Sequence, residues 1–163
     1  FGCVTCGKKG SATPTPGASG KEAAKTKTGV TGVYEYKGGT TQGNMQGNIS
    51  YKWPNGDIYV GEVRNNMMDG KGIMQYKDSS EYEGEFKAGK LSGKGIYKFS
   101  DGSKYEGEFN NDMMNGNGKI TFANGDVYDG EFKNDLIDGK GVFKYKTGTE
   151  LKGTFKDGQF TGK

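Results

Sequence analysis

The 163-residue chain contains no histidine. That excludes every His-containing catalytic triad, every His general base and every His metal ligand. Only two cysteines occur, Cys3 and Cys6. Their spacing in "CVTCG" suits half of a zinc knuckle, but a tetrahedral site needs four ligands and the chain has no second half. The pair is otherwise read as free thiols, a lipidation site or a local disulfide. No run of about 18 apolar residues exists, so nothing reads as a spanning helix. Hydrophobic residues make up 31%, too few for an ordinary two-layer core. Prolines number three, and one of them, Pro54, lies within the later, glycine-rich part of the chain.

Charge is scarce in net terms and unevenly placed. The whole chain carries +3. Residues 1–31 hold Lys8, Lys9, Lys21, Lys25 and Lys27 against Glu22 alone; the remainder holds 18 basic and 19 acidic groups. A nucleic-acid partner would require a basic face, which residues 32–163 lack. No cofactor-binding pattern is present; in particular there is no Gly-rich phosphate loop of the strand–GxxxxGK–helix kind.

Glycine and aromatics are what the chain has in abundance: 31 glycines, with 12% Phe, Trp and Tyr. They recur at a fixed interval. Tyr59 opens "YVGEVRNNMMDGKGIMQYKDSSE", Tyr82 opens "YEGEFKAGKLSGKGIYKFSDGSK", and the stretches from Tyr105 and Tyr128 repeat the pattern. The period is 23 residues, the range of solenoids and arrays. An irregular first repeat spans 36–58, full repeats span 59–81, 82–104, 105–127 and 128–150, and a partial one spans 151–163. Residues 1–31, rich in Gly, Ser, Thr, Ala and Lys, read as a flexible basic N-terminal tail or linker.

Counting the leading tyrosine as offset 0, the spacing predicts one strand over offsets 0–4 and a second over about 12–17. Glycine at offset 20 (Gly56, Gly102, Gly125, Gly148) marks the turn to the next repeat, with Ser79 the exception. Each repeat is therefore a β-hairpin. With offset 0 paired to 17, Tyr59, Tyr82, Tyr105 and Tyr128 would lie beside Tyr76, Phe99, Phe122 and Tyr145. Gly61, Gly84, Gly107 and Gly130 would face Met74, Tyr97, Ile120 and Phe143. Val63, Phe86, Phe109 and Phe132 would face Gly72, Gly95, Gly118 and Gly141. Glycines make room and aromatics fill it, so a single layer packs on itself. The other face carries an acidic row at offset 3, Glu62, Glu85, Glu108 and Glu131. It reads as solvated, because successive members two strands apart are too distant to share a metal ion.

These residues resemble the MORN (membrane occupation and recognition nexus) repeat, whose signature is Y-x-G-E-x, a G-x-G and a turn glycine. The resemblance covers residues 36–163, with four full matches from 59 to 150. It implies an all-β, elongated, single-layer antiparallel meander and a structural or scaffold protein in a larger complex. It implies, too, an intracellular setting, cytoskeletal, ciliary or membrane-associated. The tail offers a second address, since it also looks like a chloroplast or mitochondrial targeting remnant.

Three functions compete. The first is non-catalytic binding of a partner polypeptide, with a second copy of the chain in a homodimer as an alternative partner. The expected surface is an uncovered aromatic face made of Tyr59, Tyr82, Tyr105 and Tyr128 with Tyr76, Phe99, Phe122 and Tyr145. Offset 8 adds an edge, Met67, Met113 and Leu136, placed in the hairpin loops and expected to be exposed, while offset 9 plugs the hairpin ends. The second is peripheral membrane attachment through the Cys- and Lys-bearing tail. The third is the regulatory MORN region of a longer enzyme. The residues themselves argue against catalysis within this chain.

Overall fold

The computed structural model describes residues 34–35, 47–53 and 55–162. All its regular structure is strand. After the short β1 (Tyr34–Glu35) come β2 (Gly47–Lys52), β3 (Ile58–Arg64), β4 (Met67–Gln75), β5 (Glu81–Lys87) and β6 (Lys90–Lys98). They are followed by β7 (Lys104–Asn110), β8 (Met113–Thr121), β9 (Val127–Lys133), β10 (Leu136–Lys144), β11 (Glu150–Lys156) and β12 (Gln159–Gly162). The twelve form one sheet in strict sequence order. β1 runs parallel to β2; every later neighbour is antiparallel. This is the single-layer hairpin meander that the 23-residue period predicts.

Two kinds of turn alternate. Within a repeat, two residues connect the strands, both with positive φ: Asn65-Asn66, Ala88-Gly89, Asn111-Asp112, Asn134-Asp135 and Asp157-Gly158. That is the type I′ geometry whose twist suits a tight hairpin, and Asn, Asp and Gly tolerate it best. Between repeats, the Tyr76 amide donates to the Ser80 carbonyl (2.9 Å) and the Ser79 amide to the Tyr76 carbonyl (3.0 Å). Ser79 there takes φ 72°, where its counterparts are glycines at 91–102°.

The tight turn moves the second strand. It begins at offset 8, not 12, so the Met67-Met68 pair and its equivalents belong to strands rather than loops. The register differs as well. Within a hairpin Tyr82 pairs with Tyr97, Gly84 with Gly95 and Phe86 with Leu91. Offset 0 thus meets 15, not 17, and offset 2 meets 13. The physical reason is a bulge: between Gly84 and Glu85 the partner strand advances from Gly95 to Ser92, two residues more than the ladder needs. The expected rows of glycine against bulky residue inside the hairpin are replaced by glycine against glycine. Bulky against glycine does occur between repeats, where Phe86 faces Gly70 and Phe109 faces Gly93.

The paired glycines still make room, for the tyrosine two positions earlier. Tyr82 lies flat over both Gly84 and Gly95: a Cβ on either would come within 2.5 Å of its hydroxyl oxygen. Tyr59, Tyr105 and Tyr128 do the same in their repeats. The rings then stack edge to face. Tyr82 meets Phe86 at 5.1 Å and 89°, and Phe109 of the next repeat at 5.0 Å and 83°. Tyr105 meets Phe109 and Phe132, and Tyr128 meets Phe132 and Phe155, in the same way. Such pairs contribute about 0.5–1.5 kcal/mol each beyond the area they bury. Offset 9 closes the layer in the full repeats, with Met68, Leu91, Met114 and Ile137 all buried, whereas Phe160, at offset 9 of the partial last repeat, is exposed.

Side chains and turns also link successive repeats along both margins of the sheet. On one margin the Met114 amide donates to Asp135 Oδ1 (2.8 Å) while the Asp135 amide donates to the Met114 carbonyl (3.1 Å). Leu91 and Asp112 repeat the exchange one repeat earlier. On the other margin Asp57 Oδ1 accepts from the Lys77 amide (2.9 Å) and Asp126 Oδ1 from the Lys146 amide (2.8 Å).

Candidate interaction surfaces

The acidic row at offset 3 does structural work that the sequence reading missed. Glu62 accepts from the Lys71 amide (3.1 Å), Glu85 from the Lys94 amide (3.4 Å) and Glu131 from the Lys140 amide (2.9 Å). These amides lie in the bulges, where the ladder is locally disrupted. The glycine next to each bulge adopts positive φ (Gly70 +110°, Gly93 +60°, Gly139 +121°), and the carboxylate occupies the space its Cβ would need. The row is therefore a set of bulge clamps rather than a merely solvated face. Among the described residues no group of three or more His, Cys, Asp or Glu could hold a metal ion.

The uncovered aromatic face expected of the leading tyrosines is overturned. Tyr59, Tyr82, Tyr105 and Tyr128 are 0% exposed. Their hydroxyls donate to backbone carbonyls of Glu62, Glu85, Glu108 and Glu131 at 2.7–3.1 Å. Burial pushes all four phenols above their usual range, Tyr128 to about 12. They are fully used by the fold. Tyr76, Phe99, Phe122 and Tyr145 are half-buried and follow the edge of the core, with Tyr97–Phe99 at 4.6 Å and Phe143–Tyr145 at 4.8 Å. Of the offset-8 edge, Met67 is exposed and Met113 and Leu136 are half-buried. Cys3 and Cys6 lie outside the described residues.

A broad concavity lies on the opposite, charged face. A groove of about 940 Å³ runs across eight strands, from Asn48 on β2 to Asp129 on β9. At about 4.8 Å per strand that is roughly 34 Å end to end. The paired glycines lie along its floor, but a Cβ on any of them would point away from it, towards the buried tyrosine rings. Val60, Ile73 and Ile96 supply apolar wall, and Ile73 is 36% exposed. Six carboxylates and three lysines line the rest. The sequence signal for it is the set of apolar residues, Val60, Ile73 and Ile96, interrupting an otherwise charged face. Met67 registers with Arg64, one residue beyond the buried Val63, so the offset-8 row borders the groove's face.

A continuous sheet of recurring hairpins, tyrosines laid over glycine pairs and glutamates clamping three of the bulges define a β-hairpin repeat protein. The family model of the MORN repeat matches four consecutive stretches, residues 59–81, 82–104, 105–127 and 128–150. These cover more than half of the chain, which belongs to the MORN-repeat family. MORN repeats commonly serve protein interaction or membrane association and are typically non-catalytic. No curated protein matches the chain. Among solved structures it is similar to the SAS-4 (dCPAP) TCP domain of Drosophila melanogaster in complex with a proline-rich motif of Ana2 (dSTIL). Identity there is 18% over 63% of this chain and 69% of that one, with a TM-score of 0.27.

Proposed function

We propose that the array is a non-catalytic scaffold module of a larger assembly, holding a partner polypeptide along the groove of the charged face. The observation that carries this reading is the groove's shape. Its volume falls within the range of small-molecule sites, but it is spread over roughly eight strand widths. An extended polypeptide of about ten residues fills such a trough, at ~3.3 Å per residue, whereas a compact ligand does not. Val60, Ile73 and Ile96 take apolar side chains of the partner. Met67, Met113 and Leu136 extend the apolar contact along one border, where methionine adapts readily to a bound surface.

The test is a photo-crosslinking amino acid placed at Ile73, with the exposed turn residue Asp101 as control, in cells that express the full chain. A polypeptide adduct at Ile73 that is absent at Asp101, and is lost on Ile96→Asp, supports the reading. Met67→Lys with Met113→Lys should lower the adduct yield while the melting temperature stays within a few degrees. Equal adducts at both sites, or none at Ile73, would overturn it.

A further inference from the structure

The side chains of the groove stand in two rows, one on each side of its glycines. Along the first row Ile73, Glu83, Ile96 and Glu106 follow one another on β4 to β7. Direct pairing sets Ile73 beside Glu83, Glu83 beside Ile96 and Ile96 beside Glu106. The second row holds Lys71 and Lys94, between the glutamates that clamp the bulges. On one strand the rows are two residues apart, as Glu83 and Glu85 are about Gly84, or about 6.8 Å. An α-helix, about 10–12 Å across, is too wide to reach the floor between them.

The lining also has a period. Ile73 and Ile96 are one repeat apart, as are Glu83 and Glu106, and Lys71 and Lys94. One repeat is two strands, about 9.6 Å. A polyproline II helix rises about 3.1 Å per residue with three residues per turn, so its residues i and i+3 share a face about 9.3 Å apart. The two periods stay within about 1 Å of each other over three repeats. A β-strand, with same-face residues about 6.8 Å apart, is out of step by the first repeat. Polyproline II makes no internal hydrogen bonds, and the exposed Lys71 and Lys94 offer its carbonyls donors at the same interval. Charge completes the pattern. Glu83 is exposed between its two isoleucines, while Lys98, on the neighbouring strand, is held by Glu81 at 2.8 Å.

We propose that the occupant of the groove is a polyproline II segment of a partner protein with a three-residue pattern. It places an apolar residue on Ile73 and again on Ile96, a lysine or arginine on Glu83 and again on Glu106, and turns every third residue, proline included, to solvent. The inference rests on the groove being a polypeptide site, as argued above, and adds the conformation and the order of residues that the site takes. Each repeat reads one triplet. Glu106 already holds Lys104 at 3.0 Å, so Glu83 carries most of the selection for a basic residue.

The probe is a synthetic peptide, Leu-Lys-Pro-Leu-Lys-Pro-Glu-Lys-Pro, its glutamate placed for Lys119, added to the full chain. Two controls accompany it: the same residues reordered so that the leucines stand two apart, and an alanine-based helical peptide with leucine and lysine at i, i+4 spacing. The triplet peptide should give saturable shifts of the Ile73 and Ile96 methyls and none at the buried Leu91 and Ile137, and should bind several-fold more tightly than either control. Glu83→Lys, a change at an exposed position that should leave the circular dichroism unaltered, should weaken the triplet peptide several-fold. Equal or tighter binding of a control, or indifference to Glu83→Lys, overturns this inference and leaves the groove as a polypeptide site. No shift from any of the three also overturns it, and the adduct at Ile73 then decides whether the polypeptide site stands without it.

Discussion

The hydroxyl of Tyr82 donates to the backbone carbonyl of Glu85, three residues further along the same strand, at 2.8 Å. To do so the ring must lie flat along its own strand, across the intervening Gly84 and the facing Gly95. The four-residue signature Y-x-G-E is thus one mechanical unit. Tyrosine supplies a long flat side chain with a polar tip, glycine the clearance, and glutamate a carbonyl for the tip and a carboxylate for the bulge. The same bond recurs in all four repeats.

Removing the tip alone should show its share. Tyr105→Phe leaves the ring over Gly107 and Gly118 but deletes the bond to the Glu108 carbonyl (2.9 Å). The expected loss is about 1 kcal/mol. Tyr105→Ala also deletes two edge-to-face pairs and should cost about 3–5 kcal/mol. Urea denaturation of the three proteins measures both; equal losses would mean that the ring itself contributes nothing.

The bulge and the glycine pair give contrasting expectations on the two faces. A Cβ at Gly107 would lie 2.5 Å from the Gly118 Cα and from the Tyr105 hydroxyl oxygen, so Gly107→Val should cost several kcal/mol as overpacking. Glu131→Ala leaves the Lys140 amide without its partner and should cost about 1 kcal/mol. A wholly solvated face would predict under about 0.5 kcal/mol for that change. Thermal melts of the two variants beside the parent distinguish these values.

Ser79 holds a conformation that its four counterparts give to glycine. The left-handed region costs a non-glycine residue roughly 1–2 kcal/mol. Ser79→Gly should therefore stabilise the protein by about 0.5–1 kcal/mol, after allowing for the freer unfolded chain. A lowered melting temperature would show that the Ser79 side chain makes a compensating contact.

Alkali should unfold the array before its tyrosines ionise. Burial raises the Tyr59, Tyr82, Tyr105 and Tyr128 phenols in the folded state, Tyr128 to about 12. A raised folded value means that this stability is whole below the unfolded value of about 10 and drains away as pH climbs from there towards the folded value. Tyrosinate absorbance at about pH 11 should rise together with loss of circular dichroism, rather than ahead of it.

Much of this was legible in the spacing. The 23-residue interval shows the hairpin, and the alternation of glycine with aromatics shows the single layer, because both follow from the period of two along a strand. The register was not legible. It depends on the two extra residues at each bulge, and "SGKG" looks like a loop as readily as like a widened strand. Mistaking it displaced the partners of offsets 0 and 2 by two positions and that of offset 4 by four, while leaving each residue on its proper face. That is why the membership of the aromatic face was foreseen and the burial of Tyr59, Tyr82, Tyr105 and Tyr128 was not: only the true register lays each ring on two glycines. The groove was not foreseen because its lining side chains, such as Glu83 and Ile96, are set side by side only by the true pairing.

The paired margins, where Asp135 exchanges bonds with Met114 and Asp112 with Leu91, confine each repeat's dealings to the one before and the one after. Nothing distant must be renegotiated when a repeat is added or removed. The protein behaves as a ruler with 23-residue graduations: copying one unit lengthens the trough by two strands, roughly 10 Å, and leaves every existing graduation as it was. Gene duplication could thus fit such a trough to a longer or shorter partner without redesigning a single contact.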